Sequence, residues 1–422
     1  MIKQTGHADL PLHVGTVPRW LADRMMALGT EIIEALILQF GSKEVLRRLS
    51  SPLWFQSLGA VLGMDWHSSG ITTSVMYALK RGINARSKEL GLYVCGGRGK
   101  YSRQTPQELI SYSEKTGLNG NSLVESSKLC AKVDNNAVQD GFQLYQHNFI
   151  LSVDGDWSVV QQGMNVNTKT ARRYHWCSEN LKSFVDEPHI GVTGENSGQI
   201  LNLTAANADV TRKSILELTK DNPEKLIREI KDVIRLENPL GKENPAQLSL
   251  FPEENQFVEV KNESQNCVMP SHHEVRAEDV DLKRLGAVLT TAYESDSEDF
   301  ESLLLTPGLG PRTLQSLTLV SEVINGTPSR FSDPARFSFA HGGKDGHPFP
   351  VPVKVYDESI RILGQAIEKS KLGYREKSEC INRLHSTAVQ IERNCFPEAD
   401  FKETIAHEMS HSKEWGGRTC RD

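Results

Sequence analysis

Apolar residues return at intervals of three and four from about residue 16 to 93. Trp20, Leu21, Met25, Leu28, Ile32, Ile33 and Leu36 form one helical stripe, and Gly41 stands where a C-cap belongs. Ser51-Pro52 opens a further apolar stretch, which the segment GMDWHSSGITTSV (63–75) interrupts before a helix expected from about Val75 to Leu90. The run 91–95 is short and β-like and empties into Gly96-Gly-Arg-Gly-Lys100. Phe142 to Val153 and Trp157 to Met164 flank Asp154-Gly155-Asp156, and Asp-Gly between two apolar runs is a strong short-range hairpin signal. After about residue 215 the texture changes. A charged helix from Pro223 to Leu236 leads into Asn238 to His273, a Pro-, Asn-, Glu- and Ser-rich stretch too poor in apolar residues to offset the entropy of ordering, as expected of a linker.

These patterns predict an α+β protein. Residues 1–215 form a mixed N-terminal domain with a small sheet near 91 to 165 and its hairpin near 142–164. A charged helix and flexible linker occupy 216–275, an all-helical C-terminal domain 276–395, and a tail 396–422.

Composition narrows the class. Of the 422 residues 38% are hydrophobic and 24% charged, which supports a sizeable core and excludes wholesale disorder, collagen-like fibres and disulfide scaffolds. The seven cysteines are scattered and never spaced CxxC, which fits free thiols in a reducing compartment. The longest apolar run, Ile32 to Phe40, is broken by Glu34, and MIKQTGHADL has no apolar core behind its Lys. The expectation is a soluble cytoplasmic protein associated with the nucleoid. Net charge is −6, so any contact with nucleic acid must rest on a local basic segment.

Two segments point to DNA. Leu304-Leu-Thr-Pro-Gly308-Leu-Gly310-Pro-Arg-Thr-Leu314 places Gly-hydrophobic-Gly between helical stretches and resembles the helix-hairpin-helix motif. Glycine is needed there because a Cβ would keep backbone N–H groups from closing on a phosphate, and the following helix N-terminus adds partial positive charge. Gly308, Gly310, Arg312 and Thr313 are its expected phosphate contacts, and such a grip carries no sequence code. In the linker, Gln247-Leu248-Ser-Leu250-Phe251 looks like the pentapeptide that hooks the bacterial β sliding clamp, with Gln247, Leu248, Leu250 and Phe251 filling the clamp pocket.

The chain as a whole resembles the family known as domain of unknown function 763. The resemblance rests on TGHADLPLHVGTVPRWL (5–21), MDWHSSGITT (64–73), CGGRGKYSRQTP (95–106), VVQQGMN (159–165) with ARRYHW (171–176), and FSFAHGGKDGHPFPV (337–351), and covers roughly residues 1 to 370. It implies no particular activity, so the chemistry rests on the residues.

Several constellations compete. His147-x-Phe149-x4-Asp154 followed by Gly163-Met-Asn165 is similar in layout to the phospholipase D superfamily, whose His attacks phosphorus, with Phe149 standing where that superfamily has its Lys. Lys100 or Arg173 are candidates for the missing cation. Asp65, His67, His147, Asp154, His175 and His189 are candidates to hold a divalent ion (Mg, Mn or Zn) that activates water on a phosphodiester. Arg98, Lys100 and Arg103, with Tyr101, Tyr174 and Trp176, suit a DNA strand through charge and stacking. The catalytic set expected is therefore His147, Asp154, His67, Asp65, His175 and Arg173, in a nuclease recruited to DNA by the clamp. The rivals are a helix-hairpin-helix glycosylase using Asp333, which lies 25 residues past Gly308, and a non-catalytic clamp-tethered DNA adaptor. His407-Glu-Met-Ser-His411 matches HExxH but lacks a convincing third ligand in the eleven residues that follow, and is taken as a chance match.

Overall fold

The computed structural model describes residues 10–11, 19–64, 69–237, 267–337 (without 274, 277–278 and 296) and 353–385 (without 371–372, 374 and 376). The strand β1 (Leu10–Pro11) precedes four helices, α1 (Arg19–Phe40), α2 (Ser42–Ser50), α3 (Pro52–Val61) and α4 (Gly70–Ala85). Local chemistry sets several boundaries. Ser51 caps α3 by accepting from the Trp54 N–H, and Pro52 takes the first helical position, where its missing N–H costs nothing. The short α5 (Ser87–Leu90) stops at Gly91 in the left-handed conformation and turns into β2 (Leu92–Arg98).

The chain continues through a 3-10 turn (Gly99–Gln104), α6 (Thr105–Thr116), α7 (Gly120–Lys132) and a π-helical turn (Val133–Ala137). The strands β3 (Val138–Gln139), β4 (Gln143–Ser152), β5 (Trp157–Asn165), β6 (Thr170–Cys177), β7 (Gly191–Thr193) and β8 (Gln199–Asn202) follow. After them come α8 (Asp209–Lys220), α9 (Pro223–Glu237), α10 (Leu282–Ser295), α11 (Phe300–Leu305), α12 (Pro311–Asn325), β9 (Phe331–Ser332), β10 (Ala335–Phe337) and α13 (Val353–Lys369). No described helix is long and apolar enough to cross a membrane.

The larger sheet has seven strands in the order β10-β7-β6-β5-β4-β2, with β1 also paired to β6. All of its pairs are antiparallel except β10 with β7. β4 and β5 form the hairpin that the alternation marks, closed by the Ser152–Asp156 turn. Because side chains alternate across a strand, this sheet builds two cores. Tyr93, Cys95, Phe149, Val159 and Trp176 point into one, beneath α6–α12, whereas Leu92, Val94, Ile150 and Val160 point into the other, beneath α1–α4 and α13. The architecture is a sheet between two helical layers.

The fold is mixed helix and sheet, as expected, but the C-terminal part is not all helical. β10 adds to the edge of the large sheet, β9 pairs with β8 in a three-stranded sheet with β3, and α13 packs on α1 and α3. Nor does the 276–337 stretch stand apart, since Leu303, Leu309, Leu317 and Val320 share a core with Phe149 and Trp176. Two- and three-residue strands carry too little periodicity to be read from sequence; neighbouring backbone creates them.

Candidate nucleic-acid interface

Between α11 and α12 the chain makes a tight hairpin. Gly308 adopts φ +84°, a backbone conformation that strains any residue with a Cβ, and it is exposed at the tip beside Pro307. Leu309 turns into the core, and its carbonyl accepts from Lys132 Nζ (2.9 Å) and Asn136 Nδ2 (3.2 Å). Gln139 Nε2 donates to the Pro311 carbonyl at 2.7 Å. The hairpin is thus seated on the π-helical turn and held by three side chains from residues 132–139. Gly310 is the N-cap of α12 and offers no side-chain acceptor, so the partial positive charge of a fifteen-residue helix end is not neutralised by a cap. Exposed Arg312 follows it, and the Arg284 guanidinium lies 3.2 Å from the position a Cβ on Gly310 would take. Thr313, by contrast, is buried, so only its backbone is placed to serve a ligand.

A second cationic element leaves β2 through Gly96. A Cβ there would lie 2.2 Å from the His147 carbonyl oxygen at φ +84°, so strand and loop meet only through glycine. Gly96→Ala is expected to destabilise the fold by about 2–4 kcal/mol, through backbone strain plus displacement of β4. A thermal melt matching wild type would show that the loop relaxes freely. Beyond it Arg98, Lys100, Tyr101 and Arg103 are all exposed.

The alternation of the sheet separates the polar residues expected to act together. His147 lies on the face beneath α6–α12. It is buried, its Nδ1 is 2.6 Å from Gln161 Oε1, and its Nε2 is 2.8 Å from Ser127 Oγ. With Nδ1 donating to Gln161, Ser127 donates to Nε2, so both ring nitrogens are satisfied. Gln161 in turn donates to Asp134, which also accepts from Trp176 Nε1 and pairs with His189 Nε2. Arg173 and His175 lie on the opposite face. Arg173 Nε donates to His175 Nε2 at 2.9 Å, and its other nitrogens reach Thr72 and Gln56. Thr72 and Tyr145 both bond Gln162, whose amide also donates to the Ser69 carbonyl.

Asp154 is exposed in the β4–β5 turn, seven residues and about 20 Å along the strand from His147. The phospholipase D-like pair is therefore not assembled. Asp65 and His67 lie outside the described residues, as do Gln247, Leu248, Leu250, Phe251 and the HExxH segment 407–411. Among the described residues no group of three or more His, Cys, Asp and Glu side chains could hold a metal ion.

Burial pushes the His147 pKa down, and burial together with the Arg173 charge pushes that of His175 well below its ordinary 6.5. A base depressed in the folded state contributes stability that is present above its unfolded pKa and lost as pH falls through the folded value. Acidification below about 6.5 is therefore expected to destabilise the protein through both rings. His147→Gln should flatten the curve of melting temperature against pH between about 6.5 and 5, at a cost of about 1–3 kcal/mol at neutral pH. An unchanged curve would mean that His147 does not titrate with unfolding.

A further network was not legible in the sequence. Arg172 has no exposed side-chain surface and donates to Asp140 (2.9 Å) and through two nitrogens to Asp333 (2.9 and 3.0 Å). Tyr174 donates to Asp140 at 2.6 Å. Asp333 also accepts from the N–H groups of Ser197 and Ala335, so it is consumed internally and not poised as the base of a glycosylase. The available signal was Arg-Arg inside a wholly buried strand, which demands partners without naming them.

No curated protein and no solved structure matches the chain. The family described as "Protein of unknown function (DUF763)" matches residues 6–351, a span that holds the sheet, both helical layers up to α12, the hairpin and the Gly96–Arg103 loop. On that match the chain belongs to the DUF763 family.

Proposed function

We propose that the protein binds DNA through its phosphate backbone and acts in DNA repair or processing, tethered to the β sliding clamp by Gln247, Leu248, Leu250 and Phe251. The observation that carries this reading is the hairpin: Gly308 at positive φ, an uncapped α12 N-terminus, and Arg284 and Arg312 beside it. Backbone N–H groups with flanking guanidinium groups match a phosphate and read no bases. The grip is local, since the chain as a whole is acidic. Duplex binding followed by anisotropy across a salt series tests it, with log affinity expected to fall linearly with log salt concentration. Salt-independent binding, or none at low salt, would refute the reading. Loss of clamp retention in a Gln247→Ala/Phe251→Ala variant tests the tether.

Phosphodiester cleavage is the second reading, favoured by one observation. Arg173 and His175 share a buried polar cluster with Thr72 and Ser69 at the start of α4, and Ser69 follows His67 and Asp65 by two and four residues. Four of the six expected catalytic residues thus belong to that cluster or immediately precede it in the chain, without His147 and Asp154. A divalent ion is part of this proposal. Cleavage of labelled strands with Mg²⁺, Mn²⁺, Zn²⁺ or EDTA, lost in His175→Ala, would support it. Tight binding with intact strands in every arm would leave the protein a DNA-binding adaptor.

A further inference from the structure

The loop between β2 and α6 carries Arg98, Lys100, Tyr101 and Arg103 on the surface of a chain whose net charge is −6. Among the described residues none of the three cations has a carboxylate partner. Arg98 lies over the Tyr145 ring (5.8 Å) and Lys100 over the Tyr101 ring (5.4 Å). The nearest acid along the chain, Glu108, is turned inward, accepting from Lys80 Nζ at 2.7 Å and from the Gly96 N–H at 2.7 Å. Among the described residues these three neighbouring cations therefore have no carboxylate to neutralise them, and Tyr101 stands 51% exposed among them. Clustered charge around an exposed ring is what a nucleic-acid strand with an unstacked base would satisfy.

The position of the loop matters as much as its composition. Arg98 sits on Tyr145; the adjacent Leu144 N–H donates to Asn135 Oδ1, and Asn136 donates to the Leu309 carbonyl of the hairpin. Loop and hairpin thus lie toward one end of the sheet, where β2 finishes and β4 begins, with Arg98 and Tyr145 on the face of Gln162 and the hairpin on the other. The hairpin grips backbone without reading bases, whereas a stacking ring needs a base that is not already stacked in a duplex.

From this juxtaposition we infer that the DNA bound by this protein is a junction of duplex and single strand, with duplex backbone on the hairpin and the first unpaired base stacked on Tyr101 between Arg98, Lys100 and Arg103. The inference rests on the proposed DNA-binding role and narrows its substrate. Tyr174 and Trp176 take no part, being fully buried.

Anisotropy of the full-length protein with a blunt duplex, a single strand and a single-stranded-tailed duplex tests it, with 2-aminopurine as the first unpaired base. The tailed duplex is expected to bind about tenfold tighter than the blunt one and to quench the probe. Tyr101→Ala should abolish both the preference and the quenching, and Tyr101→Trp should restore both. Equal affinity of wild type for blunt and tailed duplexes, or a preference that survives Tyr101→Ala, would overturn the inference and leave the hairpin reading intact. Failure of wild type to bind any of the three DNAs would overturn both.

Discussion

Arg172→Met is expected to lower stability by about 3–5 kcal/mol, the usual cost of removing one partner from a buried charge network. Met fills most of the volume, so the loss is chiefly electrostatic: Asp140 and Asp333 would face each other in the core without the guanidinium between them. At roughly 2–4 °C per kcal/mol, the melting temperature should drop by about 10 °C. The pH dependence identifies the cause. Burial already raises the Asp140 pKa and Arg172 pulls it back, so losing Arg172 raises it further. A carboxyl with a raised folded pKa contributes stability that is present at low pH and lost as pH rises through that value. The deficit of the variant should therefore shrink on acidification from neutral pH, and adding Asp333→Asn should recover part of it. A variant melting within a degree or two of wild type, or one with a deficit independent of pH, would show that the cluster is not the electrostatic pivot described.

The largest functional effect is expected from Arg284→Glu with Arg312→Glu. Both side chains are exposed and flank the uncapped end of α12, so the change reverses the field there without disturbing the core. Duplex affinity should fall by about 30- to 100-fold at moderate salt, and the slope of log affinity against log salt should flatten by about two. The slope separates lost phosphate contacts from general unfolding, and an unchanged melt confirms the fold. If affinity and slope both match wild type, the hairpin does not contact phosphate, and the DNA-binding proposal fails with it.

The N-terminal helical stripe, the β4–β5 hairpin and the Gly308–Gly310 turn were all legible because each follows from local chemistry: helical spacing, Asp-Gly between alternating runs, and glycines at a sharp reversal. The polar site was read less well, for a reason visible in β6. Residues 172–175 supply Arg, Arg, Tyr and His in succession, which in sequence form one cluster; a strand sends neighbours to opposite faces, so Arg172 and Tyr174 join Asp140 while Arg173 and His175 join Gln56 and Thr72. Grouping His147 with Arg173 crossed the sheet, and grouping it with Asp154 ran the length of a strand.

Propensity, capping and turn geometry act over a few residues, so the stripe of α1, the charged α9, the central hairpin and the Gly308–Gly310 turn are legible locally, whereas α6, α7 and α8 come only from the structure. Long-range packing alone sets which face each polar residue serves, pairs Asp333 with Arg172, and brings the hairpin and the Arg98–Arg103 loop to one end of the sheet. Those relations join residues up to 173 positions apart, and strand register and the packing of both helical layers set them, with no trace in local spacing.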